Sequence, residues 1–393
     1  MLESPWMTGA LWVGLALAAS LISIRLGISV ALIEICVGAV AGNILPLFEP
    51  LAGQETGLAM TPWINFLASF GAILLTFLAG AEIEPVVLRQ HWKPALGIGA
   101  VSFIAPFFGA MAVAYFLLGW SPQASMIAGA ALSTTSVAVV YAVMIETGLN
   151  RQSIGKLILA ACFVTDLGTV LALGVMFANY NWHLAVFLGV SAVILPFAPR
   201  LTRHFLRHHE GQVSEPEIKV LVLMLFVLGG LAAAANSEAV LPAYILGLVL
   251  AGVLQKHKET VYHIRVAVFA LLTPFYFLKA GSLVGAGAVA QGALVIFLLL
   301  AVKVAAKFIG VYPTAKLFRL DNRVSMYTTL LMSTGLTFGT ISAMFGLARG
   351  FIDSTQYSTL VVVVIASAVV PTLVAQRWFQ PHVQLPEEEV NNA

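Results

Sequence analysis

Apolar segments long enough to cross a membrane recur along this whole chain, and they constrain its fold more than any other feature. A transmembrane helix needs about 20 mostly apolar residues to span a bilayer. Because 60% of the 393 residues are hydrophobic and only 10% are charged, no soluble core could absorb them. We therefore predict an all-α polytopic membrane protein of about thirteen transmembrane helices, at roughly 6–24, 28–46, 62–82, 95–118, 122–146, 154–178, 182–199, 217–235, 239–255, 262–284, 289–314, 324–347 and 357–377.

Basic residues fall mostly in every second loop, and this alternation indicates the orientation. Cytoplasmic loops of membrane proteins are enriched in Lys and Arg. With the N-terminus outside, the inner loops hold most of the basic residues, including Arg25, Arg89, Arg151, Arg200, Arg203, Arg207, Lys256, Lys258, Arg319, Arg323 and Arg377. Outer loops such as Phe48–Gly57 are acidic or neutral. We expect a multi-pass protein of the cell (inner) membrane, N-terminus outside, with the short tail 380–393 in the cytoplasm.

Charged residues inside these segments are rare, so each one is informative. Asp166, in the run CFVTDLG, is the only carboxylate near the centre of a segment. An ionised side chain at the centre of a membrane helix costs about 2.5–3.5 kcal/mol on insertion scales. Lys303 and Lys307 lie one helical turn apart on one face of another segment, LLLAVKVAAKFIG. We expect these three side chains to have partners or a function inside the membrane.

Other ionisable residues have simpler interpretations. Glu34 and Glu82 are expected to form structural hydrogen bonds or interface contacts. Lys279 lies near the end of its segment and is expected to reach the outer interface along its aliphatic stem. A basic inner loop contains histidines that are expected to be solvated, with pH sensing as the alternative; they are His204, His208 and His209.

Two segments contain clusters of poor helix formers. The fifth has four hydroxyl residues in a row, Ser133, Thr134, Thr135 and Ser136, and the twelfth is rich in glycine and threonine, including Gly335, Thr337 and Gly339. Local hydroxyl bonds or close helix packing would explain either cluster alone. Together with the central aspartate and the lysine pair, the two clusters indicate a transporter built from inverted repeats. Its ion site would lie where two broken helices cross.

Several of these stretches resemble one known family. They are FLAGAEIEP at residues 77–85, ALSTTSVAVVYAVMIETGLN at 131–150, CFVTDLG at 162–168, AAKFIG at 305–310 and MSTGLTFGTISAMFGL at 332–347. The chain resembles the monovalent cation:proton antiporter superfamily, in particular the CPA2-type branch of bacterial Na⁺(K⁺)/H⁺ antiporters. The resemblance covers nearly the whole chain.

The resemblance implies a homodimer with a Na⁺/H⁺ antiporter-like fold and an elevator-type motion. It implies an ion-translocating core at about 62–178 and 289–377, and a dimerisation or scaffold part at about 6–46 and 182–284. By matching motif, Asp166 corresponds to the family's ion-binding aspartate and Lys307 to its membrane-embedded basic residue. Thr135 and Ser136 match the polar pair at the first helix break.

One departure from the family pattern concerns stoichiometry. Electrogenic members have two adjacent acidic residues at this place, whereas this chain has Thr165 and Asp166. The missing second acid argues against the transport of two protons. The threonine leaves the preference between Na⁺ and K⁺ open.

The chemistry expected at Asp166 is competition between a proton and a cation. Hard cations prefer oxygen ligands, and the hydroxyls of Thr165, Thr135 and Ser136 with unwound carbonyls would complete a shell around the Asp166 carboxylate. Burial favours the neutral form of a carboxyl group, so a proton competes with the cation. Lys307, with Lys303 beside it, would either pair with Asp166 or balance the helix-end dipoles, and the sequence leaves both open.

We therefore expect a secondary transporter that exchanges Na⁺ or K⁺ for H⁺, electroneutrally and one for one, in pH homeostasis. The alternatives are a sodium-coupled organic-solute carrier of similar fold, a cation channel and an intramembrane protease. We expect no enzymatic activity, no cofactor beyond the transported ions, and no nucleic-acid partner.

Overall fold

A computed structural model describes residues 4–26, 29–45, 61–81, 92–147, 149, 152–176, 182–209, 212–235 and 239–381. In these ranges the chain is helical with short connections, and it contains no strand. Ten helices or helix pairs in the described ranges are long and apolar enough to cross a membrane. The predicted all-α polytopic fold is confirmed.

The helices follow the predicted segments in order. The first seven are α1 (Pro5–Leu26), α2 (Val30–Ile44), α3 (Pro62–Ala81), α4 (Trp92–Ala112), α5 (Pro122–Ser133), α6 (Val137–Glu146) and α7 (Ser153–Met176). The next six are α8 (Trp182–His209), α9 (Pro216–Ala234), α10 (Val240–Leu254), α11 (Lys258–Ala267), α12 (Thr273–Ser282) and the short α13 (Ala286–Gln291). The last four are α14 (Ala293–Leu317), α15 (Asn322–Met332), α16 (Thr337–Ala348) and α17 (Ser354–Val374).

Each of the thirteen predicted segments coincides with one helix or one helix pair; the pairs are α5 with α6, α11 with α12, and α15 with α16. Three helices pass into π-helical turns, at Val113–Leu117 after α4, Val268–Leu272 after α11 and Ala375–Phe379 after α17.

Helix α8 departs most from its predicted segment. The prediction ended this segment at residue 199, whereas the helix ends at His209. At about 1.5 Å per residue, its 28 residues extend about 42 Å, which exceeds the roughly 30 Å of a bilayer core. The stretch RLTRHFLRHH is basic and contains no Pro or Gly, so it continues the helix beyond the apolar part.

Side-chain caps fix the starts of three helices. Ser121 accepts a hydrogen bond of 3.1 Å from the Ala124 amide at the start of α5. Asp321 accepts one of 3.3 Å from the Val324 amide at the start of α15. At α17, Asp353 and Gln356 form a reciprocal capping box. Such caps satisfy amides that have no partner inside the helix.

Small residues hold one group of helices together. Gly80 of α3 lies against the Tyr244 carbonyl of α10, and Gly38 of α2 lies against the Leu278 backbone of α12. A side chain at either glycine would collide with backbone atoms, so the helices approach as closely as membrane helices can. Helix α3 therefore packs mainly against α10 and α12.

A second group of helices surrounds the two broken pairs. Helix α4 packs against α5, α7 and α14, while α16 packs against α5 and α17. The division of the chain into a dimerisation part and a core, the homodimer and the membrane orientation stay predictions. The loop Phe48–Gly57, Glu82 and residues 382–393 of the tail lie outside the described residues.

Candidate ion-binding site

The two helix breaks meet in space. Helix α5 ends at Ser133 and α6 begins at Val137, and the backbone between them is extended at Thr134 (φ −62°, ψ 156°). The Ser136 amide donates a hydrogen bond of 3.2 Å to the Thr334 carbonyl in the second break. The predicted crossing of two broken helices is confirmed.

Of the four hydroxyl groups in the first break, one bonds across to the second break and three bond locally. The Thr135 hydroxyl donates 3.0 Å to the carbonyl of Met332, the last residue of α15. The Ser136 hydroxyl stays local and accepts from the Val139 amide at 3.3 Å, so it caps α6. Ser133 and Thr134 also bond locally, to the Ala130 carbonyl at 2.9 Å and the Ala131 carbonyl at 3.0 Å. The Thr135 hydroxyl and the Thr334 hydroxyl, which accepts from the Ser136 amide at 3.4 Å, therefore connect the two broken helices.

The glycine-rich side of the crossing is tightly packed. A Cβ at Gly339 would lie 2.9 Å from the Ala131 carbonyl oxygen and 2.8 Å from a Val364 methyl group. Gly335 lies in the break itself, and Thr337 is the first residue of α16. The absence of side chains at the two glycines lets α16 approach α5 and α17 directly.

Asp166 lies in the middle of α7, which packs against all four half-helices, α5, α6, α15 and α16. Only 1% of Asp166 is exposed, and its Oδ1 makes no hydrogen bond. The neighbouring Thr165 hydroxyl is directed to other carbonyls, those of Ala161 at 3.1 Å and of Gly99 in α4 at 3.2 Å. The aspartate is thus a fully buried acceptor with an unused oxygen.

Lys307 of α14 lies at the first break and is fully buried. Its ammonium donates to the Ser102 hydroxyl at 2.7 Å, the Ser133 carbonyl at 2.9 Å and the Thr135 hydroxyl at 3.2 Å. The Ser133 carbonyl ends α5, where the helix dipole places partial negative charge. Lys307 is also within electrostatic range of Asp166 but forms no direct ion pair with it. Its contacts fit the helix-end alternative of the sequence analysis.

Lys303 lies at the second break and differs sharply from Lys307. It is fully buried, and its Nζ has no hydrogen-bond partner. A Cβ built on Gly335 would collide with this Nζ and would lie 3.0 Å from the Thr134 hydroxyl and 3.3 Å from the Ser367 hydroxyl. The two lysines therefore approach the two breaks separately, and neither contacts the Asp166 carboxylate.

Two residues at this centre had not been expected from the sequence. Ser102 of α4 bonds to Lys307, and Tyr244 of α10 donates 3.1 Å to the Phe163 carbonyl, three residues before Asp166. Both stand alone in ordinary apolar runs, so no spacing or motif marks them. The described residues contain no group of three His, Cys, Asp or Glu side chains suited to a metal ion. Besides the Asp166 carboxylate, the oxygen atoms that the described residues place at α7 and the two breaks belong to hydroxyl and carbonyl groups.

Comparison with known proteins agrees with this architecture. The family model described as sodium/hydrogen exchanger, transmembrane, matches residues 13–380. The chain is 24% identical over 362 residues to "Probable Na(+)/H(+) antiporter 3" of Methanocaldococcus jannaschii, and the match covers 89% of each protein. It is 25% identical over 361 residues to "Na(+)/H(+) antiporter NhaS4" of Synechocystis, with 86% of this chain and 88% of that protein covered.

Among solved structures, the sodium proton antiporter MjNhaP1 of Methanocaldococcus jannaschii shares the fold. The TM-score is 0.68 at 13% sequence identity, and the match covers 93% of this chain and 95% of that chain. The family match includes both broken helix pairs, α7 and α14. This integral, multi-pass membrane protein is therefore a member of the transmembrane sodium/hydrogen exchanger family.

Proposed function

We propose that this protein exchanges a monovalent cation, Na⁺ or K⁺, for H⁺ across the cell membrane, with Asp166 as the site that both ions share. The observation that carries the proposal is the buried Asp166 carboxylate, whose Oδ1 has no hydrogen bond, on the helix that packs against both crossing pairs. Relatives along nearly the whole chain are named Na⁺/H⁺ antiporters.

Obligatory exchange follows from the cost of an empty site. A buried carboxylate without a partner is strongly disfavoured. Lys307 does not relieve this cost directly, because its three donors are already used by Ser102, Ser133 and Thr135. Asp166 therefore needs either a proton or a cation before the site can move across the membrane. Only the two loaded forms cross.

The same carboxylate sets the stoichiometry. Replacing one proton by one monovalent cation leaves the net charge of the site unchanged, and Thr165 supplies no second acid. We therefore propose one-for-one, electroneutral exchange. Oxygens of Thr165, Thr135 and Ser136 would join the carboxylate in the cation shell, since alkali cations take oxygen ligands. Lys307 would keep the end of α5 neutral while Asp166 changes its ligand.

Movement of the site is part of the proposal. Helices α4–α7 and α14–α17 would move as an elevator against a homodimer formed by the other helices. The chain would lie in the inner membrane with its N-terminus outside, and exchange would serve pH homeostasis. The exchange assay in liposomes distinguishes between Na⁺ and K⁺ as the transported cation.

The test is exchange by the purified protein in liposomes with a preset pH gradient, followed with a pH-sensitive dye after pulses of Na⁺, K⁺ and Li⁺. We expect one or more cations to collapse the gradient at a rate that a clamped membrane potential does not change. Asp166→Asn should be inactive, whereas Glu259→Gln, at an exposed position of α11, should match wild type.

Three results would contradict the proposal. Normal exchange by Asp166→Asn would exclude this carboxylate as the shared site. A rate that depends on voltage would exclude one-for-one stoichiometry. Collapse of the gradient only in the presence of a protonophore would indicate a cation channel.

A further inference from the structure

One tyrosine of α10 contacts both the aspartate's helix and the second broken helix. Tyr244 is fully buried, and its hydroxyl donates 3.1 Å to the Phe163 carbonyl of α7. Its ring packs edge to face on Phe338 of α16, with ring centroids 6.0 Å apart and an interplanar angle of 81°. The side chain also lies within electrostatic range of Asp166.

The backbone of Tyr244 packs against helix α3, whereas its side-chain hydroxyl bonds to α7. Its carbonyl oxygen lies against Gly80, where a Cβ would collide with it, so α10 and α3 are in close backbone contact. The Phe163 carbonyl is on the opposite helix, one turn from Asp166. Helix α10 packs far more extensively on α3 than on α7, so α10 stays with α3 if α7 moves. The Tyr244 hydroxyl bond then breaks, together with the contact of Leu241 with Gly174 of α7.

A cavity of about 590 Å³ lies between α16 and a wall formed by α3, α9, α10 and α12. Val240 and Ile341 line it. Tyr244 lies one turn beyond Val240 along α10, and Phe338 lies about one turn before Ile341 on α16. Tyr244 and Phe338 thus each lie about one helical turn from a residue that lines the cavity, and the Tyr244 hydroxyl bonds to α7 one turn before Asp166.

We propose that Tyr244 is a latch: its bond to the Phe163 carbonyl holds α7 against α10, and with Phe338 it closes the cavity from Asp166 in this conformation. The bond breaks once in each transport cycle, and the cavity then becomes the path of the cation to the aspartate. This inference rests on the proposed exchange function. Tyr244 is a positioning residue, since it acts on Asp166 through α7.

A second tyrosine provides a matched control. The Tyr357 hydroxyl of α17 donates 2.7 Å to the Ala280 carbonyl of α12, and Tyr357 is also fully buried. Beside it, the Gly285 amide donates 3.0 Å to the Ser358 hydroxyl. This contact joins α17 to α12 and does not involve α7, so its loss should not expose a cysteine on α7.

The experiment compares wild type, Tyr244→Phe and Tyr357→Phe, each with Cys36 and Cys162 replaced by alanine and with Val170→Cys as the reporter. Val170 is buried on α7, one turn beyond Asp166 and one turn before Gly174, which lies against Leu241 of α10. A water-soluble methanethiosulfonate should label this cysteine only when α7 separates from α10. Exchange rate, half-saturating cation concentration and thermal unfolding are measured in parallel on the proteins without the reporter.

We expect Tyr244→Phe to raise the labelling rate by about two- to tenfold, the effect of one lost hydrogen bond, and to change the exchange rate and the half-saturating concentration. Tyr357→Phe should leave labelling and exchange within about twofold of wild type while it lowers thermal stability. Unchanged labelling in Tyr244→Phe, or equal increases in both variants, would overturn the latch. Absence of exchange by wild type would count against the proposed function, and the labelling result would still decide the latch.

Discussion

The Lys307 ammonium donates a 2.9 Å hydrogen bond to the carbonyl of Ser133, the last residue of helix α5. This bond places a positive charge at the negative end of a half-helix in the middle of the fold. Lys303 lies one turn before Lys307 on α14 and is equally buried, but its Nζ has no hydrogen-bond partner. The contrast between the two lysines leads to the first two predictions.

Lys307→Met should destabilise the protein by about 3–5 kcal/mol, the effect of removing one partner from a buried charged network. The Ser133 carbonyl and the Ser102 and Thr135 hydroxyls would all lose their common donor. Exchange should fall with stability because the crossing is no longer fixed. Denaturant unfolding in detergent measures the first effect and the liposome assay the second. If Lys307→Met were as stable as wild type, the three hydrogen bonds of Lys307 would not be needed to hold the crossing together.

Lys303→Met should leave the free energy of unfolding within about 1.5 kcal/mol of wild type, since it exchanges an unpaired buried amine for an apolar chain of similar volume. The same unfolding experiment tests it, and the two variants act as controls for each other. A loss as large as that of Lys307→Met would mean that Lys303 has a partner in the folded protein.

Gly335→Ala should cost about 1–3 kcal/mol because the new methyl group meets the Lys303 Nζ and the Thr134 and Ser367 hydroxyls. Gly189→Ala in α8 is the control, since nothing lies within 4 Å of its Cβ position. The control should gain up to about 1 kcal/mol from helix propensity. Equal stability of the two variants would show that the second break is loosely packed.

The transported cation should stabilise the wild-type protein against heat and should have no effect on Asp166→Asn. A ligand at 100 times its dissociation constant adds about 2.7 kcal/mol to a protein that binds it only when folded. Thermal unfolding in Na⁺, K⁺ and Li⁺, with an organic cation such as choline at equal ionic strength as reference, therefore identifies the bound ion. Equal stabilisation of wild type and Asp166→Asn by one ion would place its site elsewhere.

Asp353→Ala should lower stability by about 0.5–2 kcal/mol without changing exchange, because it removes the capping box at the start of α17. The Asp353 carboxylate accepts 2.8 Å from the Gln356 backbone amide, and the Asp353 backbone amide donates 3.0 Å to the Gln356 side-chain oxygen. Unfolding and exchange are measured on the same preparation. A parallel loss of exchange would connect this helix end to transport.

The parts of this fold that the sequence predicted are those encoded locally. Segment length and apolar content located the helices, and the clusters at Ser133–Ser136 and Gly335–Gly339 located both breaks, because hydroxyl and glycine residues weaken a helix wherever it lies. The central position of Asp166 in its helix was also predicted from the sequence, because it follows from the bounds of the apolar segment.

What the sequence could not provide depends on partners far apart in the chain. Ser102 meets Lys307 across 205 positions, and Tyr244 meets Phe163 across 81. A lone serine or tyrosine in an apolar run carries no sign of its partner. For the same reason the sequence left open which break each lysine approaches.

The Thr135 hydroxyl accepts a hydrogen bond from Lys307 and donates one to the Met332 carbonyl. The two bonds therefore form a chain in which every donor points the same way, from α14 through the first break to the end of α15. An ammonium group has no lone pair, so Lys307 cannot accept in return. While it is charged, this chain of bonds cannot reverse, and Thr135 cannot turn its hydrogen away from the second break. The charged Lys307 on α14 thus fixes the direction of the hydrogen bond from the first break to the second: the first break always donates and the second always accepts.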